Sequence, residues 1–514
     1  MSAPPRLEDA FAPHLAADLA PFTVAAVEEA LGPVAAAALH REQPLPARRA
    51  LAGRRDPIAV LTRLFLLAEP VDVTDLDAAL PRTTHEGAVR AGLVEVDDAG
   101  PADGSGAMAR ALVDLRPYAA DDAQWWLACD LGEAAVGGPL PEDHVLGVGG
   151  ASLTLAQWTI RTRVRTALDL GTGCGVQAFH AARHAASVVA TDVSQRALDF
   201  AAFNARLNAS APGAFAGRRL ELRHGSLLEP VSSPADRHRY DLVVSNPPFV
   251  ITPRVAGLPV YEYRDGGLAG DEVVRRLVSG VADLLAPGGV AQLLGNWEHV
   301  AGIDWRDRVA SWLPPDVQAW VVQREVQDPA EYAQTWARDG GHLPGTAAHD
   351  ALLTGWLDDF AARQVESIGF GVVTLRRAKP SWQRLEELRG PVHGPMGDVV
   401  RDVLDAESWL RRTDDAELLG ARLVVAGDLT EERHGLPGAG DPQVILLRQG
   451  GGLGRVVRAD TALAGLVGAC DGELSVGQIV AALAQLLDEP EADLRARLLP
   501  DVRHLVADLL LRVP

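Results

Sequence analysis

Apolar positions between about residues 166 and 300 follow two alternating patterns. Short continuous apolar runs are typical of strands buried on both faces, and apolar residues every three or four positions are typical of helices with one buried face. In chain order the predicted strands are TALDL, SVVATD, RLELRHGS, YDLVVSN and GGVAQLL, and the helices are GVQAFHAARHA, SQRALDFAAFNARLNA and GDEVVRRLVSGVADLL. This alternation predicts an α/β fold with a doubly wound parallel sheet that binds ligands at the carboxyl ends of its strands.

Two further strands are predicted to complete this sheet, VQAWVVQREV (317–326) and SIGFGVVTLRR (367–377), with a helical insertion between them. Before the sheet, PIAVLTRLFLLA, VDVTDLDAAL and THEGAVRAG have the apolar spacing of short helices, the second with Thr74 as its predicted N-cap. LVEV and MARALVDLRPY then predict a two-stranded wing. Three helices followed by a hairpin predict a winged-helix-like domain, which either docks nucleic acid or serves protein interaction and packing.

The last part of the chain predicts a small α+β unit, possibly winged-helix-like. Its strands are ARLVVAG, QVILLRQ and RVVRAD, and its helices are TALAGLVGA and VGQIVAALAQLL. A chain of 514 residues is too long for one core. The predicted domains are therefore residues 1–142, 143–380 and 381–514.

Composition narrows the class of protein. The net charge of −21 argues against broad nucleic-acid affinity, which depends on lysine and arginine. No run reaches the roughly 18 apolar residues that a membrane span needs, and the start of the chain has no apolar signal region, so we expect no membrane partner. Three widely spaced cysteines favour neither a disulfide framework nor a zinc site, and fit a cytoplasmic location.

Candidate chemistry begins at the end of the first predicted strand, in the segment DLGTGCG (169–175). Its three glycines permit a tight turn and a close approach of the backbone to a ligand, and the helix that follows offers unpaired N–H groups. The second strand ends at Asp192, where an acidic side chain binds the ribose hydroxyls in dinucleotide folds. These positions together predict a nucleotide or nucleoside site.

A second candidate is SNPPF (245–249), which follows the apolar run YDLVV. Proline has no N–H to donate to a sheet, so the strand is predicted to stop at Asn246. One interpretation is a rigid surface loop. The other is a binding site for a planar nitrogen, which a nicotinamide enzyme would not need at this position.

With DLGTGCG, the Asp192 strand end and SNPPF in this order, the chain resembles the class I S-adenosylmethionine-dependent methyltransferases. More narrowly, it resembles the Rossmann-like group with an N-P-P-[FY] motif, which includes methyltransferases of nucleobase amino groups and the HemK-type glutamine methyltransferases of release factors. The resemblance covers residues 145–300 closely and 300–380 loosely. It leaves both flanking regions unexplained.

The resemblance implies S-adenosyl-L-methionine as cofactor and a set of residues that bind it. These are Asp169, Gly171, Gly173 and Gly175 at the methionine end, Asp192 at the ribose, and the backbone around Ser226 and Leu227 at the adenine. Relatives often carry an acidic residue near the position of Ser226. The residues from Gly149 to Thr154 either cover the cofactor or simply begin a helix.

The resemblance also implies that Asn246, Pro247, Pro248 and Phe249 carry out transfer. The Asn246 side-chain oxygen and the Pro247 carbonyl would each accept an N–H of the substrate, while Phe249 lies against its planar group. Tyr261, Glu262, Tyr263 and Arg264 are candidates for the substrate rim, and a surface loop with Asp271 as a helix N-cap is the alternative.

Two substrates and one non-catalytic role fit these residues. We expect the exocyclic amino group of a base in RNA (rRNA or tRNA), because the predicted winged helix and the arginines of the middle region suit nucleic acid. The alternative is a glutamine of a protein such as a release factor, which suits the acidic surface. A non-catalytic scaffold that binds the cofactor is the remaining hypothesis.

Overall fold

The computed structural model describes residues 3–513 except 42, 98–105, 137–139, 212–214, 216–217, 255–263, 341, 343 and 439–441. The chain divides into two compact units. The first comprises Met1–Ala156, Arg163–Pro314 and Glu325–Val373, and the second comprises Gln157–Thr162, Pro315–Arg324 and Thr374–Pro514. The N-terminal region thus shares a unit with the predicted methyltransferase sheet. The three-domain division remains a prediction.

The N-terminal region combines short helices with two antiparallel sheets. Its helices are α1 (Ala12–Leu19), α2 (Val24–Leu39), α3 (Leu45–Leu51), α4 (Pro57–Leu61), α5 (Val73–Ala79), α6 (Thr84–Arg90), α7 (Glu133–Val136) and α8 (Gly150–Trp158). Its strands are β1 (Val71–Asp72), β2 (Val94–Asp97), β3 (Met108–Ala111), β4 (Asp114–Ala120) and β5 (Ala123–Cys129). The predicted helices and the β2–β3 hairpin are therefore present.

Two details of this region differ from the prediction. The N-cap of α5 is Asp72, whose carboxylate accepts the N–H of Thr74 at 2.8 Å, so Thr74 is not the cap. The segment MARALVDLRPY contains two strands, because β3 pairs with β1 and β2 whereas β4 pairs with β5. The winged-helix likeness itself stays a prediction.

The region from 164 to 387 contains the central sheet and its helices. Its strands are β6 (Val164–Leu170), β7 (Ala185–Asp192), β8 (Arg219–His224), β9 (Tyr240–Ser245), β10 (Leu285–Val300), β11 (Gln318–Gln327), β12 (Val365–Arg376) and β13 (Trp382–Glu387). Its helices are α9 (Val176–Ala182), α10 (Gln195–Leu207), α11 (Glu272–Gly280), α12 (Trp305–Ala310), α13 (Pro329–Asp339) and α14 (Ala347–Ala362).

Within the first unit the strands lie in the order β12-β10-β9-β6-β7-β8, and the pairs from β10 to β8 are parallel. The strand order reverses at β6 and β9, which is the place where doubly wound sheets bind ligands. The register aligns the strand ends, since Leu170 lies opposite both Thr191 and Ser245. The Ser245 hydroxyl also donates to the Leu170 carbonyl at 2.8 Å. The α/β doubly wound prediction is confirmed.

The second unit contains the pair β11–β13 and the C-terminal region. Its remaining helices are α15 (Met396–Leu410), α16 (Asp415–Gly420), α17 (Thr461–Gly468), α18 (Val476–Leu487) and α19 (Glu491–Ala507). Its remaining strands are β14 (Val424–Val425), β15 (Leu429–His434), β16 (Val444–Gln449), β17 (Val456–Ala459) and β18 (Leu511–Arg512). An apolar core formed by α17, α18, α19 and β16 holds this α+β region together.

One helical stretch of the described residues, Ala12–Leu39, is long and apolar enough to cross a membrane by length and composition alone, with a mean hydropathy of 1.4 over an 18-residue window. It is not one straight rod. Leu19 ends α1 and Val24 begins α2, and Gly32 has a non-helical φ of 74°. Helices that pass this test are weak indicators of a span, because core helices of soluble proteins pass it too.

Candidate functional site

The glycine turn after β6 has the conformation that the sequence predicts. Gly171, Gly173 and Gly175 have φ values of 72°, 54° and 96°, which favour glycine. The N–H groups of Gly171 and Thr172 both donate to the Thr191 carbonyl at 2.9 Å, which holds the turn against the end of β7. A Cβ on Gly171 or Gly173 would meet no atom within 4 Å. The turn therefore borders open space at Gly171 and Gly173.

Asp192 connects the end of β7 to this turn. Its Oδ2 accepts the N–H of Gly173 and its Oδ1 accepts the N–H of Ser194, each at 2.9 Å. Burial raises the pKa of this carboxyl above its ordinary value. Each oxygen retains a lone pair, so Asp192 can accept ribose hydroxyls while it orders the turn.

Asp169 is fully buried beside the same turn. Its Oδ2 accepts the Thr172 hydroxyl at 2.7 Å, whereas its Oδ1 has no hydrogen-bond partner. Burial raises the pKa of Asp169 to about 7, and the nearby Asp192 adds to the rise. A buried carboxylate oxygen without a partner is costly, and a cationic ligand would relieve that cost.

Asn204 supports the glycine turn and was missed by sequence reasoning. It is fully buried on α10, where its Nδ2 donates to the Cys174 carbonyl at 2.8 Å. The same amide accepts the N–H of Ala128 at 2.7 Å and donates to its carbonyl at 2.9 Å. Asn204 thus joins β5 to the glycine turn. Its contacts are distant in sequence, so no local pattern pointed to it.

The predicted adenine contacts lie after β8, next to Asp192. The N–H of Gly225 donates to the Asp192 carbonyl at 2.9 Å, which places the following residues at the same sheet edge. Ser226 is exposed, and Leu227 is half-buried with a left-handed φ of 48°. Their role in binding adenine stays a prediction. Gly149 precedes α8, and both interpretations of residues 149–154 stay open.

Asn246 follows the last residue of β9, as the proline pair predicts. Its Oδ1 is buried and has no hydrogen-bond partner. Pro247 is buried, whereas Pro248 and Phe249 are half-buried. The motif therefore presents an unpaired acceptor at the sheet edge that carries Asp169 and Asp192. The simple surface-loop interpretation does not explain this buried acceptor.

Hydrogen bonds join the residues that follow β9 to Arg264 and Asp265. Phe249 and Asp265 form an antiparallel bridge, and the N–H of Val250 donates to the Arg264 carbonyl at 2.9 Å. Arg254 pairs with the buried Asp265, with one N–O distance of 3.0 Å. The rim candidates Tyr261, Glu262 and Tyr263 lie outside the described residues.

The other predictions around this loop need correction. Arg264 is 4% exposed and donates to the Trp336 carbonyl at 2.8 Å, so it packs against α13 and not at a solvent-facing rim. Asp271 precedes α11 but makes no capping hydrogen bond. Its carboxylate instead accepts the N–H of Glu298 and pairs with Arg308, because all three lie together in a buried ion cluster.

Within the described part of the chain, no cluster of His, Cys, Asp or Glu side chains is suited to holding a metal ion. The three cysteines are free and buried. Burial raises the pKa of the Cys174 thiol to about 11, so this cysteine of the glycine turn is not an activated nucleophile.

Several arginines of the middle region that favoured nucleic acid lie beside carboxylates. Arg223 bonds Glu221 at 2.8 Å, Arg239 bonds Asp236 at 2.8 Å, and Arg165 lies 3.8 Å from Asp241. A paired guanidinium contributes less to phosphate binding, because a phosphate must displace the carboxylate. These contacts weaken the expectation of an RNA groove.

Residues 148–299 match the family model described as "Methyltransferase small domain". Residues 19–104 and 401–512 match two families described as domains of unknown function, DUF7059 and DUF7782. The resemblance to the class I methyltransferases with an N-P-P-[FY] motif is thereby confirmed for the segment that carries the site.

Curated relatives resemble the same segment. The ribosomal protein uL3 glutamine methyltransferase of Bradyrhizobium diazoefficiens is 36% identical over 186 residues, which cover 34% of this chain and 54% of that protein. The release factor glutamine methyltransferase of Moorella thermoacetica is 38% identical over 136 residues, 25% of this chain and 44% of that protein. The chain thus spans about half the length of the curated relatives it matches.

A solved structure, geranyl diphosphate C-methyltransferase from Streptomyces coelicolor A3(2), is 14% identical with a TM-score of 0.27, covering 44% of this chain and 77% of that one. That score is too low to carry an argument.

Proposed function

We propose that this chain is an S-adenosylmethionine-dependent N-methyltransferase whose substrate is the side-chain amide of a glutamine in a protein. The observation that carries the proposal is the buried, unpaired Oδ1 of Asn246 at the carboxyl edge of the sheet. A buried acceptor without a partner costs about 1–3 kcal/mol, and an N–H of a bound substrate would remove that cost.

The residues of the motif would orient the substrate nitrogen. An amide nitrogen is a poor nucleophile, because its lone pair is delocalised into the carbonyl. If Asn246 Oδ1 and the Pro247 carbonyl each accept one N–H, the nitrogen is held with its lone pair free and its growing positive charge is stabilised. The prolines restrict the backbone that carries these acceptors, and Phe249 offers a flat apolar wall.

The residues at the ends of β6 and β7 fit the cofactor, which would supply a methyl group on a sulfonium. Asp169 has an unpaired buried oxygen for the cationic methionine end, and Asp192 has free lone pairs for ribose hydroxyls. The space beside Gly171 and Gly173 is open. When bound, the cofactor would supply an electrophilic methyl group, so that the new C–N bond would form as the S–CH₃ bond breaks and a thioether leaves. The substrate nitrogen then loses its proton to water, so no general base is required.

Two observations favour a protein over an RNA substrate. The relatives that share this segment are named as glutamine methyltransferases of ribosomal protein uL3 and of release factors. In addition, several arginines of the middle region are paired with carboxylates, and the net charge is −21. We therefore favour the glutamine alternative over the RNA base that the sequence suggested. A cytoplasmic location, which suits such substrates, is part of the proposal.

Methyl transfer from radiolabelled S-adenosylmethionine tests the proposal. Purified uL3, release factor, rRNA and tRNA are incubated separately with the full chain, and labelled protein is digested and sequenced by mass spectrometry. We expect label on a glutamine of one protein substrate and none in either RNA. Label in RNA alone would overturn the choice of substrate. A failure to bind S-adenosylmethionine would overturn the assignment of the chain as a methyltransferase.

A further inference from the structure

We propose that Tyr332 is a positioning residue for methyl transfer, acting on the segment that carries Asn246. Tyr332 lies on α13, beyond residue 299, where the match to the methyltransferase small domain ends. That match therefore assigns it no role. The inference rests on the proposed function, but its structural step is measurable without activity.

Side chains from two helices hold both peptide groups of Ile251, five residues after Asn246. The Ile251 N–H donates to the Tyr332 hydroxyl at 2.8 Å, and the indole N–H of Trp356 donates to the Ile251 carbonyl at 2.7 Å. Ile251 is 1% exposed, and both aromatic side chains are fully buried. A loop would ordinarily satisfy such groups with water or with neighbouring backbone. Here it is tied to α13 and α14 instead.

The Tyr332 hydroxyl also links this loop to the central sheet. The Nδ2 of Asn296, a fully buried residue of β10, donates to the same oxygen at 2.9 Å. Strand β10 is the parallel neighbour of β9, which ends at Ser245. Burial raises the pKa of Tyr332 further, so the hydroxyl stays neutral at physiological pH. One neutral hydroxyl thus connects the loop after Asn246 to the strand beside it.

Apolar packing holds the same helices against the motif. Val250, Ile251, Tyr332, Trp356 and Phe360 belong to one buried cluster. Phe249 packs against this cluster, with its ring edge-to-face to Trp336 at 6.4 Å between centroids. The chain therefore departs from the sheet at Asn246 and is fixed again at Ile251. The motif lies between these two anchored points.

Removing the Tyr332 hydroxyl would leave the buried Ile251 N–H without an acceptor. The loop would then relax to find another partner, which would move the Pro247 carbonyl and the Asn246 side chain. A misplacement of about 1 Å can lower a rate about 100-fold, because transfer requires the nitrogen to lie in line with the methyl group. Cofactor affinity depends on other residues, the glycine turn, Asp169 and Asp192.

The experiment compares Tyr332→Phe with the matched control Tyr240→Phe in the full chain. Tyr240 is also fully buried, and its hydroxyl donates to Asp236 at 2.9 Å, but it begins β9 at the end opposite to Asn246. The readouts are the Kd of S-adenosylmethionine, kcat and KM for methyl transfer, and deuterium uptake of a peptide containing residues 246–254. Folded protein is quantified by the stoichiometry of cofactor binding.

For Tyr332→Phe we expect kcat to fall about 10- to 100-fold with the cofactor Kd unchanged, and exchange at 246–254 to rise at least about tenfold. Tyr240→Phe should alter neither kcat nor that exchange. Wild-type kcat in folded Tyr332→Phe, or an equal fall in both variants, would overturn the inference. If the wild type methylates no substrate, the proposed function fails, and the exchange rates alone decide whether Tyr332 holds the loop.

Discussion

The side-chain amide of Asn204 donates a hydrogen bond to the backbone carbonyl of Cys174 at 2.8 Å. Cys174 lies inside the glycine turn. The Asn204 amide also accepts the N–H of Ala128 in β5 and donates to the carbonyl of the same residue. One buried amide therefore links the N-terminal region to the turn that we propose binds the cofactor. Asn208 lies four residues later in the chain. Its amide accepts the N–H of Trp126 and donates to the Trp126 carbonyl, but it has no hydrogen bond to the described residues of the glycine turn.

These two asparagines allow a matched comparison. Asn204→Ala and Asn208→Ala should each lower the free energy of unfolding by about 2–3 kcal/mol, since each removes three buried hydrogen bonds. Only Asn204→Ala should weaken binding of S-adenosylmethionine. Urea denaturation and titration calorimetry measure the two effects. Equal cofactor affinity in both variants would show that Asn204 has no part in ordering the turn.

The left-handed turn predicts the effect of a single methyl group. Gly173→Ala should destabilise the protein by about 1 kcal/mol through its positive φ, and should also place a Cβ in the space assigned to the cofactor. Gly288→Ala is the control, because that glycine has a φ of 79° with open space around it but lies near the start of β10. Both variants should lose similar thermal stability. An unchanged Kd of S-adenosylmethionine in Gly173→Ala would show that the cofactor does not bind beside Gly173.

Binding of S-adenosylmethionine should depend on pH through Asp169, whose pKa burial raises to about 7. The carboxylate form would bind the cationic methionine end, so below pH 7 binding must first release the proton. We expect affinity to fall up to about tenfold per pH unit below about 7 and to be constant above it. Calorimetry across this range measures the effect. Asp169→Asn should bind weakly without this dependence, and a pH-independent Kd in the wild type would exclude the assignment.

The central sheet was predictable because its patterns are local. Continuous apolar runs placed β6, β7 and β9, and the glycines and prolines marked the strand ends at Leu170 and Ser245. Proline chemistry alone placed Asn246 just beyond a strand, since no N–H is available to continue the ladder. The strand ends predicted from these segments match those of the structure.

The residues that hold the site together were not predictable from local sequence. Tyr332 lies within a stretch predicted as helix, but its partner Ile251 is 81 residues earlier in the chain. Strand β13 was missed because half of its sequence, WQRLEE, is charged, and because Arg384 and Glu386 pair with each other and Glu386 with Arg455 in a largely buried cluster. The periodicity of apolar residues in one sequence shows neither which distant residues form hydrogen bonds nor which charged side chains are buried in ion pairs.

In the proposed mechanism the unpaired oxygen of Asn246 binds the substrate amide. The most direct test is single-turnover methyl transfer by Asn246→Ala, with cofactor affinity measured on the same sample. We expect the rate to fall about 100- to 1000-fold, the usual effect of removing one stabilising hydrogen bond from a transition state, with the Kd of S-adenosylmethionine unchanged. A variant that transfers methyl at close to the wild-type rate would contradict it.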